Sequence, residues 1–252
     1  MPRLSNIDPS MENMQIGSGK GFHFSATRIE HLGATEYTLV TIAVDVTGSV
    51  DDFADDLLKC LQTAVESCKK SPRSNNLLLR LILFSSSLSG GIEEIHGFKP
   101  LGEIDPGAYQ PLKTGGMTPL FDAVYSGVGA TNAYAKQLMS QNFLANGIVF
   151  VLTDGDDNAS SSTPRMIRAE IDRGQKGEDI ESLVPILIGV NAKLHTKELQ
   201  RFATEADLKY IDIGDATKGK LAKLAEFVSQ SVSSQSQAIG TGGPSQAIAA
   251  TI

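Results

Sequence analysis

The chain has 252 residues, of which 41% are hydrophobic and 20% charged, a composition that suits one large globular α/β domain with appendages. Its formal net charge of -7 disfavours nucleic acid and anionic membranes as partners and favours cations or basic protein surfaces. No apolar stretch approaches the length of a membrane span, and the first residues lack the apolar core of a signal peptide, so we expect a cytoplasmic protein, with export by another route as the alternative.

The first part of the chain leads to one strongly apolar strand. Residues 1–20 are polar and without periodicity, which predicts a flexible leader, and residues 22–31 predict a strand that turns at Gly33. Residues 37–45 form a β-branched run, as expected for a strand buried on both faces. The run ends in Asp45, so this carboxylate is expected at the carboxyl end of the strand.

Strands and helices alternate along the rest of the chain. Residues 51–70 carry apolar side chains at three- and four-residue steps, which is typical of an amphipathic helix. Cys60 and Cys68 would lie about 12 Å apart on this helix, too far for a disulfide, so we expect reduced thiols in a reducing compartment. The later predicted elements are strands at 77–84, 91–98, 147–152, 183–190 and 210–213, and helices starting at 118 and covering 164–173, 196–206 and 218–232.

This alternation over residues 37–232 predicts an α/β fold with a doubly wound, mostly parallel sheet and helices on both faces. The strand at 91–98 is short and polar, so we expect it at an edge of the sheet. Residues 233–252 are rich in Ser, Gln, Ala and Gly, which predicts a disordered tail, with a docking peptide as the alternative. The folded domain is therefore expected at 21–232, with its core at 37–230.

Five oxygen-bearing side chains follow the predicted strands where one edge of the sheet would bring them together. In a sheet of order 3-2-1-4-5-6 the first and fourth strands are neighbours, and their carboxyl ends bear Asp45 and Asp154. Taken singly, each residue also fits a cap or a turn, and Thr118 followed by Pro119 is typical of a helix start. Taken together, two carboxylates with no adjacent Lys or Arg require a cation between them. The candidate metal ligands are Asp45, Thr47, Ser49, Thr118 and Asp154.

An oxygen-only set of ligands favours a hard ion, with Mg²⁺ first and Mn²⁺ or Ca²⁺ as alternatives. Two carboxylates neutralise the dication, and its remaining coordination is left to water or to an incoming carboxylate. The chemistry is therefore that of binding, in which a protein partner presenting an Asp or Glu completes the coordination shell. On this hypothesis the chain is not an enzyme.

The segment D-V-T-G-S at 45–49, followed by the threonine at 118 and the aspartate at 154, resembles a known metal motif. It is similar to the metal-ion-dependent adhesion site (MIDAS) of von Willebrand factor A (vWA) domains, which reads D-x-S-x-S, then T, then D. The resemblance covers residues 37–230 and departs from the usual pattern at Thr47, where the hydroxyl is kept and a methyl is added. It implies a Rossmann-like vWA fold with one antiparallel edge strand.

The same resemblance implies a class of partner and a role for each side chain. The chain looks closer to intracellular bacterial vWA proteins of the tellurite-resistance type than to adhesion receptors, which implies scaffolding or regulation of partner enzymes such as kinases and phosphatases. Thr47 and Ser49 are expected to coordinate the ion directly, and Thr118 and Asp154 directly or through water. Asp45 is expected to orient hydroxyls and water.

Two other functions remain open. D-V-T-G-S also resembles the D-K-T-G-T of haloacid-dehalogenase-type phosphatases and pumps, and D-G-D-D-N at 154–158 resembles their later acidic motif. The phosphatases commonly need a second Asp where this chain has Thr47, and the pumps need a lysine where it has Val46. We interpret Asp156 and Asp157 as solvated residues of an acidic rim. The second alternative is a structural α/β domain without a metal.

Overall fold

The computed structural model describes residues 8–16, 21–177 and 179–241, which form one eight-stranded sheet with five α-helices packed on it. The strands are β1 (Met11–Gln15), β2 (His23–Thr27), β3 (Glu36–Asp45), β4 (Leu77–Phe84), β5 (Ile92–Pro100), β6 (Leu144–Thr153), β7 (Ser182–Gly189) and β8 (Lys209–Asp212). The helices are α1 (Ala54–Lys69), α2 (Leu120–Ser140), α3 (Pro164–Lys176), α4 (Thr196–Ala206) and α5 (Lys218–Gly240).

The central part of the sheet has the order that the sequence predicts. The order β5-β4-β3-β6-β7-β8 is the expected 3-2-1-4-5-6, and β3 pairs in parallel with β4 on one side and β6 on the other. β5 runs antiparallel to β4, whereas β6, β7 and β8 are parallel. Because β3 is parallel to both neighbours, its carboxyl end lies beside theirs, where open α/β sheets form their ligand sites. The predicted α/β fold class is confirmed.

The sheet continues past β5, so the prediction of an edge strand there is wrong. β2 pairs with β5 in parallel, and β1 pairs with β2 antiparallel. Gly97 allows the close approach of β2, because a Cβ atom at this position would lie 1.9 Å from the Ser25 carbonyl oxygen. Glu94 of β5 holds β2 in place, since its Oε1 accepts the Ser25 N–H at 2.8 Å and the Ser25 hydroxyl at 2.6 Å.

The strand β1 lies within the segment that the sequence predicts to be a flexible leader. Of the five residues of β1 only Met11 is buried, and Ile16, the first residue after the strand, is buried as well. An edge strand needs so few apolar side chains that its hydrophobic pattern is too short to be recognised. The leader prediction is therefore wrong for β1, and residues 1–7 and 17–20 lie outside the described part of the chain.

Helices cover both faces of the sheet, as predicted. On one face, α1 and α5 pack against Val40, Ile42 and Val44 of β3. On the other face, α2 packs against Leu39 and Ala43 of β3, and α3 and α4 cover β7 and β8. Because successive side chains of a strand point to opposite faces, β3 contributes to both cores and is buried along nearly its whole length.

Helix α5 ends at Gly240, whereas the sequence predicts its end at residue 232 and a disordered tail after it. Ala238 and Ile239 are buried, and Asn146 of β6 donates from Nδ2 to the Gln235 carbonyl at 2.9 Å. The prediction of a disordered tail from the Ser- and Gln-rich composition is therefore wrong here. Polar groups of this segment are buried and form hydrogen bonds with distant parts of the chain. Residues 242–252 of the predicted tail lie outside the described part. Within the described residues, no helix has the length and apolarity needed to cross a bilayer.

Candidate metal centre

Asp45 lies at the carboxyl end of β3 and is 1% exposed. Its Oδ1 accepts the Thr47 N–H at 2.9 Å, and its Oδ2 accepts the Thr153 hydroxyl at 2.7 Å. Burial raises the pKa of Asp45 to about 6; the hydrogen bonds from Thr153 and Thr47 oppose this shift, and the nearby charge of Asp154 adds to it. The carboxylate is thus held rigidly in a place where its negative charge is costly.

Asp154 follows β6 and meets the loop that follows β3. The Ser49 hydroxyl donates to Asp154 Oδ1 at 2.9 Å, and Ser49 Oγ lies 3.2 Å from Thr47 Oγ1. Burial raises the pKa of Asp154, although the Ser49 hydrogen bond and the charge of His195 lower it. Four of the five sequence-predicted residues are therefore joined by short contacts, and one of them, Ser49, is exposed to solvent.

Thr118 comes from a third loop, which is fastened to the other two. Asn158 Oδ1 accepts the Thr118 N–H at 2.7 Å, and the Asn158 N–H donates to the Thr118 carbonyl at 3.1 Å. On the β3 side, the Gly115 N–H donates to the Val46 carbonyl at 3.0 Å. The segment carrying Thr118 therefore lies between the loops after β3 and β6, as the sequence predicts.

The sequence predicts that Thr118 caps the helix that follows it, and this is wrong. The free amides of α2 are capped by another loop: Phe121 N–H donates to Asp157 Oδ1 at 3.1 Å, and Asp122 N–H to Ser160 Oγ at 3.0 Å. Asp157 is accordingly half-buried and bound to α2, and it is not the solvated rim residue that we expected. The Thr118 hydroxyl makes no hydrogen bond to any described residue, so it is free for another role.

Further residues shape the site although the sequence does not single them out. Thr153 and Asn158 act through the hydrogen bonds given above, and Ser86 holds the segment before Thr118 through bonds between Ser86 and Met117 of 2.7 and 2.9 Å. Gly116 has φ +77°, and a Cβ atom there would lie 2.7 Å from Ser85 Oγ. The glycine pair at 115–116 was the one available signal, since paired glycines mark backbone that other residues cannot adopt.

The donors at this edge suit a divalent cation. They are two carboxylates and three hydroxyls, and neither Asp45 nor Asp154 forms an ion pair with a Lys or Arg of the described residues. No group of three or more His, Cys, Asp and Glu that could hold a metal occurs in the described ranges, so a metal here would depend on the hydroxyls. An oxygen-only set with two uncompensated carboxylates is the chemistry that Mg²⁺, Mn²⁺ and Ca²⁺ accept.

No family model matches the chain, and no curated protein matches it. Several solved structures share its fold. The pilus adhesin SpaC from Lactobacillus rhamnosus GG, in an open conformation, has a TM-score of 0.59 and 14% identity over 90% of this chain and 32% of the adhesin. The PilB minor pilin from Streptococcus sanguinis has a TM-score of 0.53 and 15% identity over 91% of this chain and 68% of the pilin.

A third similar structure is proximal thread matrix protein 1 from the mussel byssus, with a zinc-occupied MIDAS motif, at a TM-score of 0.49 and 17% identity over 78% of this chain and 46% of that protein. The chain spans about one third of the length of the SpaC adhesin. At such identities the similarity concerns the fold alone.

Proposed function

We propose that this chain is a metal-dependent protein-binding module of the vWA type. The observation that carries the proposal is the hydrogen bond between Ser49 and Asp154, which joins the loops after β3 and β6. This contact lies beside the buried carboxylate of Asp45, and no Lys or Arg of the described residues balances the negative charge there. A cation at this point relieves the repulsion between the two carboxylates. The proposed ligands are Asp45, Thr47, Ser49, Thr118 and Asp154.

The side chains divide the tasks of holding an ion. Asp45, with both oxygens engaged by Thr47 and Thr153, is suited to orienting hydroxyls and bound water. Ser49 is exposed, and its hydroxyl lies 3.2 Å from that of the buried Thr47 and donates to Asp154 at 2.9 Å. A bound Mg²⁺ would supply an open coordination position for a carboxylate, and Mn²⁺ or Ca²⁺ would do the same with longer bonds.

Exposed apolar side chains border this edge and support a role in protein binding. Met117, directly before Thr118, is 55% exposed, and Leu194, directly before His195, is 90% exposed. His195 lies close enough to Asp154 to influence the pKa of that carboxyl, so Leu194 lies near the same edge. Single apolar side chains are common on protein surfaces, but two of them beside one polar centre offer the apolar contacts that a protein interface uses. We infer that the partner presents an Asp or Glu flanked by apolar residues.

The wider identity of the module follows from its motif. We infer a bacterial cytoplasmic vWA protein with enzyme partners such as kinases or phosphatases, on the resemblance at 45–49 together with the free, buried thiols of Cys60 and Cys68. Two of the similar solved structures are an adhesin and a pilin, and their surface location is a property of those proteins. Fractionation of native cells would distinguish the two locations.

A phosphatase of the haloacid-dehalogenase type is the second candidate, and the geometry gives it less support. The position two residues after Asp45 is Thr47, whose hydroxyl contacts that of Ser49. The carboxylate of Asp157, in the later acidic motif, accepts a hydrogen bond from the Phe121 N–H. The position where such phosphatases commonly carry their acid therefore bears a hydroxyl, which is too weak an acid to protonate a leaving group at neutral pH. Hydrolysis of p-nitrophenyl phosphate by the purified protein, abolished by Asp45→Asn, would favour this candidate over the binding module.

The proposed function is tested by affinity capture from native extract with and without EDTA. We expect a partner that binds in Mg²⁺ and is released by EDTA, and that Asp154→Ala fails to capture while keeping its fold by circular dichroism. Asp55→Ala is the matched control, because Asp55 is an exposed aspartate on α1 without a side-chain hydrogen bond, and it should capture normally. A partner that stays bound in excess EDTA would contradict the mechanism.

A further inference from the structure

A cavity of about 490 Å³ opens between α1, β4, β5 and the segment 101–113, and the candidate metal centre does not use it. Its apolar wall includes Leu61, Leu81, Leu83 and Ile104, which are buried, and Ile95, which is 40% exposed. This volume lies within the range of sites for small molecules, which are mostly apolar with a few placed polar groups. The cavity can therefore hold a compact apolar body.

An irregularity in β5 turns extra side chains toward this cavity. The register of β4 against β5 shifts between Leu79 and Leu81 and again between Leu81 and Ile82. In a regular strand, consecutive residues point to opposite faces, but here both Ile95 and His96 line the cavity. Bulges of this kind re-aim side chains and are common beside binding sites.

The polar groups inside the cavity satisfy one another. His96 Nδ1 lies 3.1 Å from the Gly97 carbonyl, which can only accept, so Nδ1 carries the proton. His96 Nε2 lies 3.0 Å from the Tyr109 hydroxyl, which then donates to it, and the two rings stack at 5.9 Å. Burial lowers the pKa of His96, which favours the neutral form of the ring. The interior thus offers a flat, uncharged surface that suits an aromatic ring.

The mouth of the cavity carries an excess of negative charge. Glu93, Glu103 and Asp105 line it and are exposed, and none of them forms an ion pair with a described residue. Of the two lysines in the lining, Lys99 pairs with an aspartate at 3.1 Å, which leaves Lys113 as the one unpaired ammonium among the described lining residues. A ligand with a positive head group would therefore be favoured over one with a negative head group.

We propose that this cavity is a binding site for a small amphipathic cation, whose aromatic body packs between Leu61, Leu81 and the His96–Tyr109 pair. Its ammonium group lies at the rim of the cavity, where the exposed carboxylates of Glu93, Glu103 and Asp105 outnumber the unpaired ammonium of Lys113 among the described lining residues. The site is independent of the metal centre, since it shares no side chain with it. The cavity would bind its ligand even if the chain bound no metal, and a failure of the cavity to bind a cation would not affect the proposed function.

Three probes that share a phenyl group on a four-carbon chain and differ in the terminal polar group test the proposal: 4-phenylbutylamine, 4-phenylbutan-1-ol and 4-phenylbutyrate. Each is titrated into the full chain in EDTA, and binding is followed by NMR chemical shifts. We expect the amine to bind about fivefold more tightly than the alcohol, the effect of one or two exposed charge contacts, and the acid to bind most weakly. The combined variant Glu93→Gln/Glu103→Gln should abolish the preference for the amine. The matched control Glu66→Gln/Glu205→Gln changes two exposed glutamates elsewhere and should preserve it.

A second variant tests the cavity itself. Ala108 lines the cavity and is exposed, so Ala108→Trp should fill the opening without disturbing the core, and all three probes should lose binding. Binding of the amine by Ala108→Trp with wild-type affinity would overturn the proposal. So would equal affinity of the wild-type chain for amine and acid, or no binding of any probe.

Discussion

Thr118 and Thr163 both precede a proline at the start of a helix, but they make different contacts. The Thr163 hydroxyl accepts the Met166 N–H at 3.4 Å and caps α3, with Pro164 at the first helical position. The Thr118 hydroxyl caps nothing, because Asp157 and Ser160 supply the acceptors for α2 from another loop. The same dipeptide therefore stabilises the fold in one place and leaves a hydroxyl free in the other.

The two threonines should respond oppositely to removal of the hydroxyl. Thr118→Ala should keep the free energy of unfolding of the metal-free protein and lower its affinity for Mg²⁺ roughly tenfold, in the range found for groups around metal sites. Thr163→Ala, the matched control, should lose about 1 kcal/mol of stability and keep the affinity. Denaturant unfolding and calorimetric titration measure the two quantities. Unchanged Mg²⁺ affinity in Thr118→Ala would remove this residue from the ligand set.

The cysteines give a second test at the scale of single residues. Burial raises the pKa of Cys60 and of Cys68 to about 12, so the folded protein carries far less thiolate at pH 8 than the unfolded chain. We expect iodoacetamide to label neither thiol in the native protein and both in urea, as measured by mass spectrometry. Rapid labelling of the native protein would show that α1 opens or that a thiol is exposed.

At the scale of elements, the loop between β6 and α3 organises the metal centre. Its residues cap α2 through Asp157 and Ser160 and hold Thr118 through Asn158. Asp122 of α2 in turn binds this loop, since its carboxylate accepts backbone N–H groups of the loop at 2.7 and 3.0 Å. The start of α2 and the loop after β6 are therefore one unit.

This unit predicts an effect of Asn158 on the metal without direct contact. Asn158→Ala removes the acceptor for the Thr118 N–H, so we expect a loss of about 1 kcal/mol in stability and a roughly tenfold loss in Mg²⁺ affinity. Asn76→Ala is the matched control: it removes one amide hydrogen bond, of 3.0 Å to the Glu36 carbonyl, at the opposite end of β3. It should cost similar stability and leave the affinity unchanged. Equal effects of both variants on Mg²⁺ binding would contradict a positioning role for Asn158.

At the scale of the whole molecule, the last two turns of α5 belong to the folded body. Ile239 is 7% exposed, so Ile239→Ala should cost about 2–3 kcal/mol and lower the melting temperature by roughly 5–10 °C. Lys223→Ala, at an exposed position of the same helix, should change the melting temperature little. Thermal unfolding followed by circular dichroism distinguishes them. No change in Ile239→Ala would restore the sequence-based prediction of a disordered tail from residue 233.

The sequence could predict the central sheet because long apolar strands alternate with amphipathic helices, and the strand order then brings Asp45 and Asp154 together. It could not predict β1 or the end of α5, whose burial rests on few apolar side chains and on polar partners distant in the chain. The cap that Asp157 provides for α2 could not be predicted either, because a hydrogen bond between residues 36 positions apart leaves no local sequence pattern. The strand order could thus be predicted from local patterns, whereas hydrogen bonds between distant loops could not.

The central claim, a cation held among the loops after β3 and β6 and the start of α2, is tested most directly by anomalous diffraction from crystals grown with Mn²⁺. We expect one anomalous peak about 2.2 Å from Thr47 Oγ1 and Ser49 Oγ, with Asp154 and Thr118 bound directly or through one water, and no such peak in Asp154→Asn. The absence of a peak at these side chains in crystals of the wild-type protein, or a peak that persists in Asp154→Asn, would contradict the claim.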